Sequence, residues 1–464
     1  MKKLIILLIL LTITIPLFSQ TYGDVNDDTL IDIVDGLLIA QYYVGLQPSG
    51  FDVSAADVDA DGSITIIDAL LVAQYYVGLI TTFPAQTQTP VPTSPPGSSL
   101  HYGTMPTIYS WSDVQAAYED WKNTLVTSDG ARGYLRVRKP DSGTITDSTV
   151  SEGIGYGMIL AVYMDDQNLF DNLWKYEQLF LNENGLMHWE IHPDGNSVIG
   201  TGAATDGDED MAWALVMADR KWGGSGSLDN TYLNYTIDLI NRIYQYEVVH
   251  SGDRQYMLLP GDSWGNPDIT NISYFAPAYY RVFGAVTGNV SEWNAVIDTN
   301  YTVMNNSLNA ANGNQDNGLV PAWSNYAGTP VEAYSGAPTH FQNDSTRTMF
   351  RIGQDYLYNG DPRAKAYVEK TTSFFTGVGV ANIVDGYELD GTPRPDYAVN
   401  GRQPASFIGP AGVGAMNDPA NQPFIDDAYA ALATLSLDAG TIYYQKSWTA
   451  LSLLLMAGGF VELE

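Results

Sequence analysis

The chain has 464 residues, no cysteine and a formal net charge of −32 at pH 7. The lack of cysteine excludes disulfides, thiolate zinc sites and a cysteine nucleophile, and the negative charge argues against nucleic acid or an anionic membrane as partner. Stability must therefore come from a large core, which a chain of this length with 12% aromatic residues can supply.

The first 20 residues read MKKLIILLILLTITIPLFSQ. Lys2 and Lys3 form a charged start, a long apolar stretch follows, and small or polar residues end the segment, which predicts a secretory signal peptide. Pro16 interrupts the apolar stretch, which argues against its retention as a membrane anchor. No other segment is apolar enough to span a bilayer. We expect a secreted, extracellular protein with no membrane attachment once the signal is removed.

An acidic loop then occurs twice, 33 residues apart, as GDVNDDTLIDIVDGLLIAQYYVGL and ADVDADGSITIIDALLVAQYYVGL. Oxygen-bearing side chains recur at loop positions 1, 3, 5, 9 and 12, which is the ligand pattern that Ca²⁺ requires. A solvated acidic turn explains one copy, but not two that agree in ligand spacing and in the apolar run that follows. The predicted calcium ligands are Asp24, Asn26, Asp28, Asp32 and Asp35 in the first copy and Asp57, Asp59, Asp61, Ser63, Thr65 and Asp68 in the second.

An ordinary EF-hand pair does not fit these loops, because position 12 is Asp rather than a bidentate Glu and only one helix follows each loop. Residues 21–80 instead resemble a dockerin, which implies a small two-repeat, EF-hand-like calcium module that binds a cohesin-bearing scaffold protein. Thr29 stands where the sixth loop position usually carries glycine, whereas Gly62 holds that place in the second copy. We expect the first calcium site to be the weaker one.

The surface of this module that meets the scaffold is expected to be apolar. One group of dockerins carries a Ser-Thr pair at loop positions 10 and 11, where this chain has Ile33-Val34 and Ile66-Ile67. Because both copies present nearly the same face, binding in two orientations related by a half turn is expected.

Residues 81–103 are rich in Pro, Thr and Ser and predict an extended linker. Residues 104–464 form a second, long unit whose apolar residues recur at helical spacing. The eleven predicted helical segments are 113–125, 152–164, 169–180, 208–222, 228–246, 275–286, 290–308, 346–357, 363–375, 425–435 and 443–456. This pattern predicts an all-α fold of antiparallel helical hairpins closed into a ring, with a cleft built from the long loops.

The sequence of this second unit gives little support for a mechanism that uses a nucleophilic side chain or a metal ion. The five histidines never form a metal-ligand spacing, and GDSWG at 261–265 matches a serine-nucleophile motif by letter only, since Pro267 follows where a helix should start. Three acidic clusters remain: SEGIGYGM around Glu152, ATDGDEDMA around Asp206, and NDSTR around Asp344. Each alone is equally consistent with carboxylates that cap the start of a helix.

Together these clusters resemble glycoside hydrolase family 8, through SEGIGYGM, NGLMHWEI, ATDGDEDMAWALVMADRKW, PGDSWG, SYFAPAYYRVF and NDSTRTMFRIGQDY in family order. The resemblance implies an (α/α)6 toroid in which Glu152 is the general acid, Asp344 the general base and Asp206 the carboxylate that holds the −1 sugar distorted. It also implies substrate contacts from aromatic residues and an arginine that keeps Asp344 charged. These expected substrate-binding residues are Tyr156, Trp189, Trp264, Tyr274 and Arg347.

The forms NGLMHW and ATDGDED are similar to the endoglucanase branch of the family. We therefore expect an endo-acting, inverting β-1,4-glucanase that hydrolyses cellulose or mixed-linkage β-glucan and needs no cofactor for catalysis. Xylan, chitosan and a non-catalytic carbohydrate-binding toroid remain as alternatives. Asn343 and Phe350 depart from the family pattern near the base. Because the helix dipole lowers the pKa of Glu152, burial and the charge of Asp206 must outweigh it if Glu152 is to act as an acid.

Overall fold

A computed structural model of the chain describes residues 22–59, 64–83, 100–141, 145–264, 268–394, 404–434 and 442–463. The chain divides into two compact units, Met1–Thr89 and Pro90–Glu464. The predicted signal peptide, most of the predicted linker, and the loop residues Asp61, Gly62 and Ser63 lie outside the described residues. Among the described residues, no helix combines the length and the apolarity needed to cross a membrane.

The first unit contains the helices α1 (Ile33–Tyr43), α2 (Val53–Ala56) and α3 (Ile66–Tyr76). The residues at loop positions 9 and 12 also start α1 and α3. Asp32 and Asp35 form a capping box at α1, and Thr65 and Asp68 form the same arrangement at α3. Each predicted calcium loop therefore leads directly into its helix, as the repeated sequence requires.

Helices α1 and α3 pack against each other around a small core. Gly36 makes the close approach possible, because a Cβ atom there would lie 3.2 Å from the carbonyl oxygen of Ala69. The fully buried apolar side chains of this core include Val25, Ile39 and Val72. The opposite face of the helix pair remains exposed and apolar.

The second unit contains twelve α-helices within the described residues. They are α4 (Trp111–Leu125), α5 (Ser151–Tyr163), α6 (Gln167–Glu177), α7 (Thr205–Lys221), α8 (Tyr232–Glu247), α9 (Pro277–Thr287), α10 (Val290–Ser307), α11 (Asn343–Asn359), α12 (Pro362–Val378), α13 (Ala405–Ala415), α14 (Gln422–Thr434) and α15 (Ile442–Met456).

These helices form two concentric rings. The inner ring runs α5, α7, α9, α11, α13 and α15, each packed on the next, and α15 closes the circle on α5. Each inner helix also packs on one outer helix, in the pairs α5–α6, α7–α8, α9–α10, α11–α12, α13–α14 and α15–α4. Six helical hairpins thus close into an (α/α)6 toroid, which confirms the predicted all-α fold class.

Short antiparallel strands lie in the loops that lead from an outer helix to the next inner helix. The strands are β1 (Val126–Thr127), β2 (Arg136–Val137), β3 (Thr149–Val150), β4 (Glu190–Ile191), β5 (Val198–Gly200), β6 (Ile269–Thr270) and β7 (Ser324–Asn325). They pair as β1–β2, β3–β4–β5 and β6–β7. Strand β3 leads directly into α5, so the β3–β4–β5 sheet holds the loop that begins the first inner helix.

Every predicted helical segment overlaps an observed helix, but the sequence pattern missed α13. That helix carries Pro410 and three glycines within its eleven residues, which is a composition of low helix propensity. All eleven residues are buried inside the toroid. Packing against neighbouring helices therefore stabilises a segment that local propensity disfavours.

Candidate active site

Glu152 lies in the first turn of α5, where the start of that helix crosses the start of α7 at close range. A Cβ atom at Gly155 would lie 2.8 Å from the Cβ of Asp210, and one at Gly207 would lie 2.9 Å from the backbone nitrogen of Glu152. These glycines lower the helix propensity of both segments, but they allow the two backbones to approach closely. As a result, Glu152 and Asp206 belong to adjacent helix starts.

Asp206 is buried in the first turn of α7. The N-cap residue of that helix is Ala204, and no side chain makes a capping hydrogen bond there. Its Oδ2 accepts a hydrogen bond from Arg347 at 2.5 Å, while its Oδ1 is buried without a partner among the described residues. A buried acceptor that points at no protein donor is available for a ligand hydroxyl.

Asp344 lies in the first turn of α11 and is not its N-cap. Gln342 occupies the N-cap position and forms a capping box with Ser345. The interpretation of Asp344 as a simple capping residue is therefore wrong. Its side chain remains 33% exposed, so the carboxylate can reach water.

Arg347 connects the three acidic residues and is itself 1% exposed. One of its terminal nitrogens donates to Glu152 at 2.6 Å and to Asp206, and the other lies 3.6 Å from Asp344. The expected partner of Arg347 was Asp344, but the guanidinium makes its closer bonds to the other two carboxylates. A single planar cation thus spans the space between Glu152 and Asp344.

The pKa of Glu152 is raised above its ordinary value. Burial is the largest cause, and the negative charges of Asp206 and Asp344 act in the same direction. The guanidinium of Arg347 and the hydroxyl of Tyr443 oppose the shift without cancelling it. Burial therefore outweighs the stabilising cation, as general acid chemistry near neutral pH requires.

Two tyrosines of α15 complete the surroundings of the carboxylates, and the sequence analysis missed both. The Tyr443 hydroxyl donates to Glu152 Oε1 at 2.7 Å, and the Tyr444 hydroxyl donates to the Asn343 carbonyl oxygen at 3.0 Å. Tyr443 is 291 residues away from Glu152 along the chain, and only ring closure brings the two together. Their adjacency at the start of the last helix was the one signal available in the sequence.

Three of the predicted aromatic residues lie near this centre. The Tyr274 ring stands 5.0 Å from the Arg347 guanidinium carbon, and the Trp264 ring stacks on Trp323 with centroids 5.6 Å apart. Trp189 accepts a backbone hydrogen bond from Ser151, the first residue of α5. Trp323 was not predicted, although it links Trp264 to Tyr274.

Tyr156 differs from the expectation that it contacts substrate. Its side chain is 1% exposed and packs edge-on against Trp448 in the core of the toroid. A ring without an open face cannot stack on a sugar. Tyr156 lies on the same face of α5 as Glu152 but one helical turn further along, where that face is already buried in the core.

Further buried charges lie behind the site. Arg351, one turn along α11 from Arg347, pairs with Glu209 and with Asp210, the latter at 3.0 Å. This second pairing links α7 to α11 beside the cluster of Glu152, Asp206 and Asp344. Two arginines of α11, rather than one, therefore pair with acidic residues of α7.

The second calcium loop gathers its ligands more closely than the first. The carboxylate oxygens of Asp57, Asp59 and Asp68 lie within 4.8 Å of one another, and no other described set of three such groups is as compact. In the first loop, Asp24 accepts backbone hydrogen bonds from Asp28 and Thr29. Oxygen ligands alone, on a tight turn, fit a hard cation such as Ca²⁺.

Comparison with known proteins identifies two segments. The family model of glycosyl hydrolases family 8 matches residues 102–458, and that of the dockerin type I domain matches residues 22–76. The chain is 41% identical over 350 residues to Endoglucanase A of Acetivibrio thermocellus, covering 75% of this chain and 69% of that protein. It is 38% identical over 353 residues to Endoglucanase C of Ruminiclostridium cellulolyticum, covering 75% and 72% respectively.

Solved structures show the same fold. The apo structure of a beta-1,3-1,4-glucanase from Paenibacillus sp. X4 aligns with a TM-score of 0.69 at 29% identity, over 80% of this chain and 97% of that one. Rex8A from Paenibacillus barcinonensis, solved with xylose, aligns with a TM-score of 0.62 at 20% identity, over 77% and 95%. The second likeness bears on the fold alone.

Proposed function

The chain belongs to glycosyl hydrolases family 8, carries a dockerin type I domain and is an endoglucanase, and from this premise we propose that Glu152 and Asp344 cleave β-1,4-glucan with inversion. The observation that carries the proposal is the convergence of Glu152, Asp206 and Asp344, from three helix starts, on the buried Arg347. Inverting hydrolysis needs one protonated carboxyl and one carboxylate on opposite sides of the sugar.

Glu152 suits the acid role because its pKa is raised, so the carboxyl can hold the proton that the leaving oxygen receives. Asp344 suits the base role because its partly exposed carboxylate, beside the Arg347 cation, can take a proton from an attacking water. A single guanidinium bridges the two groups, which limits their separation without forcing them into contact. Inverting pairs stand roughly 6.5–9.5 Å apart, and retaining pairs about 5–5.5 Å apart.

Asp206 is proposed to hold the distorted sugar at the point of cleavage. Its free Oδ1 is the acceptor for a sugar hydroxyl, while Arg347 fixes Oδ2. A fixed, buried acceptor bonds most strongly to the ring geometry that it fits, and a distorted ring is the geometry close to the transition state.

The proposed substrates are cellulose and mixed-linkage β-glucan. The name of the Acetivibrio relative supports the first, and the name of the Paenibacillus sp. X4 structure supports the second. Trp189, Trp264 and Tyr274 are proposed to bind the glucan chain, because flat rings complement the apolar faces of sugar units. Xylan and chitosan are the alternatives that a substrate panel separates from glucan.

The dockerin type I domain implies a cohesin-bearing scaffold as partner, and dockerins of this type bind calcium. We propose that calcium occupies both loops, with Asp61 and Ser63 adding to the second, and that the protein acts outside the cell after signal removal. Ile33, Val34, Ile66 and Ile67 are each about half exposed and supply the apolar contact surface. Large apolar side chains this exposed are typical of a protein interface.

The proposed chemistry is tested by measuring reducing-sugar release from carboxymethylcellulose, lichenan, xylan and chitosan. We expect release from the first two, and a Glu152→Gln variant with the parent melting temperature should lose nearly all of it. Glu292→Gln, which changes a first-turn glutamate of α10, is the matched control and should retain activity. Proton NMR of the first product should show the α-anomer. A β-anomer, or a Glu152→Gln variant that turns over like the parent, would contradict the mechanism.

A further inference from the structure

A line of aromatic rings leads from Arg347 toward the surface. Tyr274 stands 5.0 Å from the guanidinium, and its ring meets the edge of Trp323 at 6.5 Å. Beyond Trp323, the ring of Tyr334 follows at 6.0 Å and nearly perpendicular. Three successive contacts thus connect Arg347, which binds the proposed catalytic carboxylates, to Tyr334. Together they span no more than the length of a short oligosaccharide.

Tyr334 is the exposed end of this line. Its side chain is 51% exposed, whereas Trp323 is 3% exposed and belongs to a small apolar cluster with Ala322 and Ala337. A tyrosine needed only to cover that cluster would lie flat against it. Tyr334 instead meets Trp323 at an interplanar angle of 82°, and about half of its surface is exposed to solvent.

The loop that carries Tyr334 is attached to the active site at both ends. It begins at β7, which pairs with β6 of the segment that precedes Tyr274. Within the loop, Val331 donates a backbone hydrogen bond to Trp323, and Ala337 donates one to Tyr334. The loop then leads into α11, which presents Asp344. The position of the Tyr334 ring is therefore set by elements that also position the catalytic residues.

We propose that Tyr334 forms an outer binding subsite for the glucan chain, several sugar units from the bond that is cleaved. This inference rests on the proposed function, since it assigns a glucan chain to the same cleft. The flat ring offers the apolar surface on which a sugar face stacks, and its phenol adds a polar edge. A subsite at this distance is reached only by long chains, so Tyr334 gives the enzyme a preference for polymer over short oligosaccharides.

Binding is measured in the Glu152→Gln background, in which the sugar is not cleaved, by isothermal titration with cellohexaose and cellotriose. Tyr334→Ala should weaken cellohexaose binding by about five- to tenfold, as loss of one stacking ring predicts, and should weaken cellotriose binding much less. Tyr334→Phe keeps the ring and should bind cellohexaose nearly as the parent does. Tyr109→Ala removes another exposed tyrosine of the same unit and should change neither affinity.

Equal losses for the two oligosaccharides, or no loss in Tyr334→Ala, would overturn the subsite while leaving the proposed function intact. A Tyr334→Phe variant as weak as Tyr334→Ala would overturn the stacking contact. If the Glu152→Gln parent bound neither oligosaccharide, the assignment of a glucan substrate would fail, and the subsite with it. Unchanged melting temperatures of the variants confirm that the comparison concerns binding.

Discussion

At the residue scale, the charge state of Glu152 depends on the groups that share Arg347 with it. Glu152 and Asp206 accept short hydrogen bonds from one buried nitrogen of that residue, and Asp344 lies at a longer distance from the other. Glu152 is thereby held beside a cation and still has a raised pKa, because burial penalises its charged form more strongly. Substitutions that keep the shape of a side chain and change only its charge or its hydrogen bond can separate these contributions.

Asp344→Asn tests whether this residue is the base. The variant should lose activity by several orders of magnitude, because an amide cannot accept the proton of the attacking water. Gln342 caps α11, so the change should alter the melting temperature by little. The measurement is kcat on a soluble cello-oligosaccharide together with a thermal melt. Activity within tenfold of the parent would mean that another group takes the proton.

Tyr443→Phe tests the hydrogen bond to Glu152. That bond favours the ionised carboxylate and lowers its pKa, so its loss should raise the pKa of Glu152 further. The acid then stays protonated to higher pH, and the alkaline limb of the kcat/KM profile should move upward by up to about one pH unit. Tyr444→Phe is the control, since the Tyr444 hydroxyl donates to the Asn343 carbonyl oxygen instead. A limb that stays in place or moves downward in Tyr443→Phe would contradict this assignment.

At the element scale, helix starts and helix ends bury carboxyl groups that form no ion pair among the described residues. Asp208 near the start of α7, Glu177 at the end of α6 and Glu247 at the end of α8 are all buried, and mutual repulsion adds to the effect of burial on Asp208. Burial is the largest cause of the raised pKa in each of the three. These helices therefore pack most stably when such groups carry protons.

Glu177→Gln tests this effect. Burial raises the pKa of Glu177 to about 8 in the folded protein, so its contribution to stability is complete below about 4.5 and is lost as pH rises to about 8. The glutamine variant does not ionise. Its free energy of unfolding should exceed that of the parent by about 1 kcal/mol or more at pH 8 and match it near pH 4.5. Denaturant titrations at several pH values measure this, with Glu292→Gln as control, and a constant difference would count against it.

Thr29→Gly tests strain in the first calcium loop. Thr29 adopts a φ of 71°, a left-handed conformation that costs a β-branched residue about 1–2 kcal/mol. Glycine removes that cost and keeps the backbone N–H that donates to Asp24. We expect tighter calcium binding at the weaker of the two sites, by about tenfold, in calorimetric titration of the full chain. Unchanged affinity at both sites would show that Thr29 does not limit the first loop.

At the scale of the whole molecule, the two units differ greatly in the size of their cores. The apolar core of the first unit is small, and its loops bring several carboxylates together, whereas the toroid buries a core that extends through all twelve of its described helices. Small domains without disulfides depend on a bound metal or a partner for their stability. Metal removal should therefore affect the two units unequally.

Chelation of Ca²⁺ should unfold the first unit and abolish scaffold binding, yet leave glucanase activity unchanged. The proposed catalytic carboxylates and Arg347 all belong to the second unit, which has a hydrophobic core of its own. Circular dichroism, a cohesin pull-down and an activity assay on the same chelated sample make the comparison. Folding that is insensitive to chelation would contradict the metal argument, and activity lost together with binding would contradict the independence of the toroid.

Features that are encoded over short distances could be predicted from the sequence. The calcium loops, the twelve-position ligand spacing and eleven of the twelve toroid helices are local patterns, and each candidate carboxylate lies within a short motif. Which residues share a site depends on the packing of segments that are far apart in the sequence. Arg347 lies 195 residues from Glu152 and 141 from Asp206, and the structure pairs it more closely with these two than with neighbouring Asp344. Ring closure also brings Tyr443 to Glu152, buries Tyr156 and stabilises α13 despite its low helix propensity. These features result from packing between helices that are far apart in the sequence. The periodicity of apolar residues within one helix does not show which other helices it packs against.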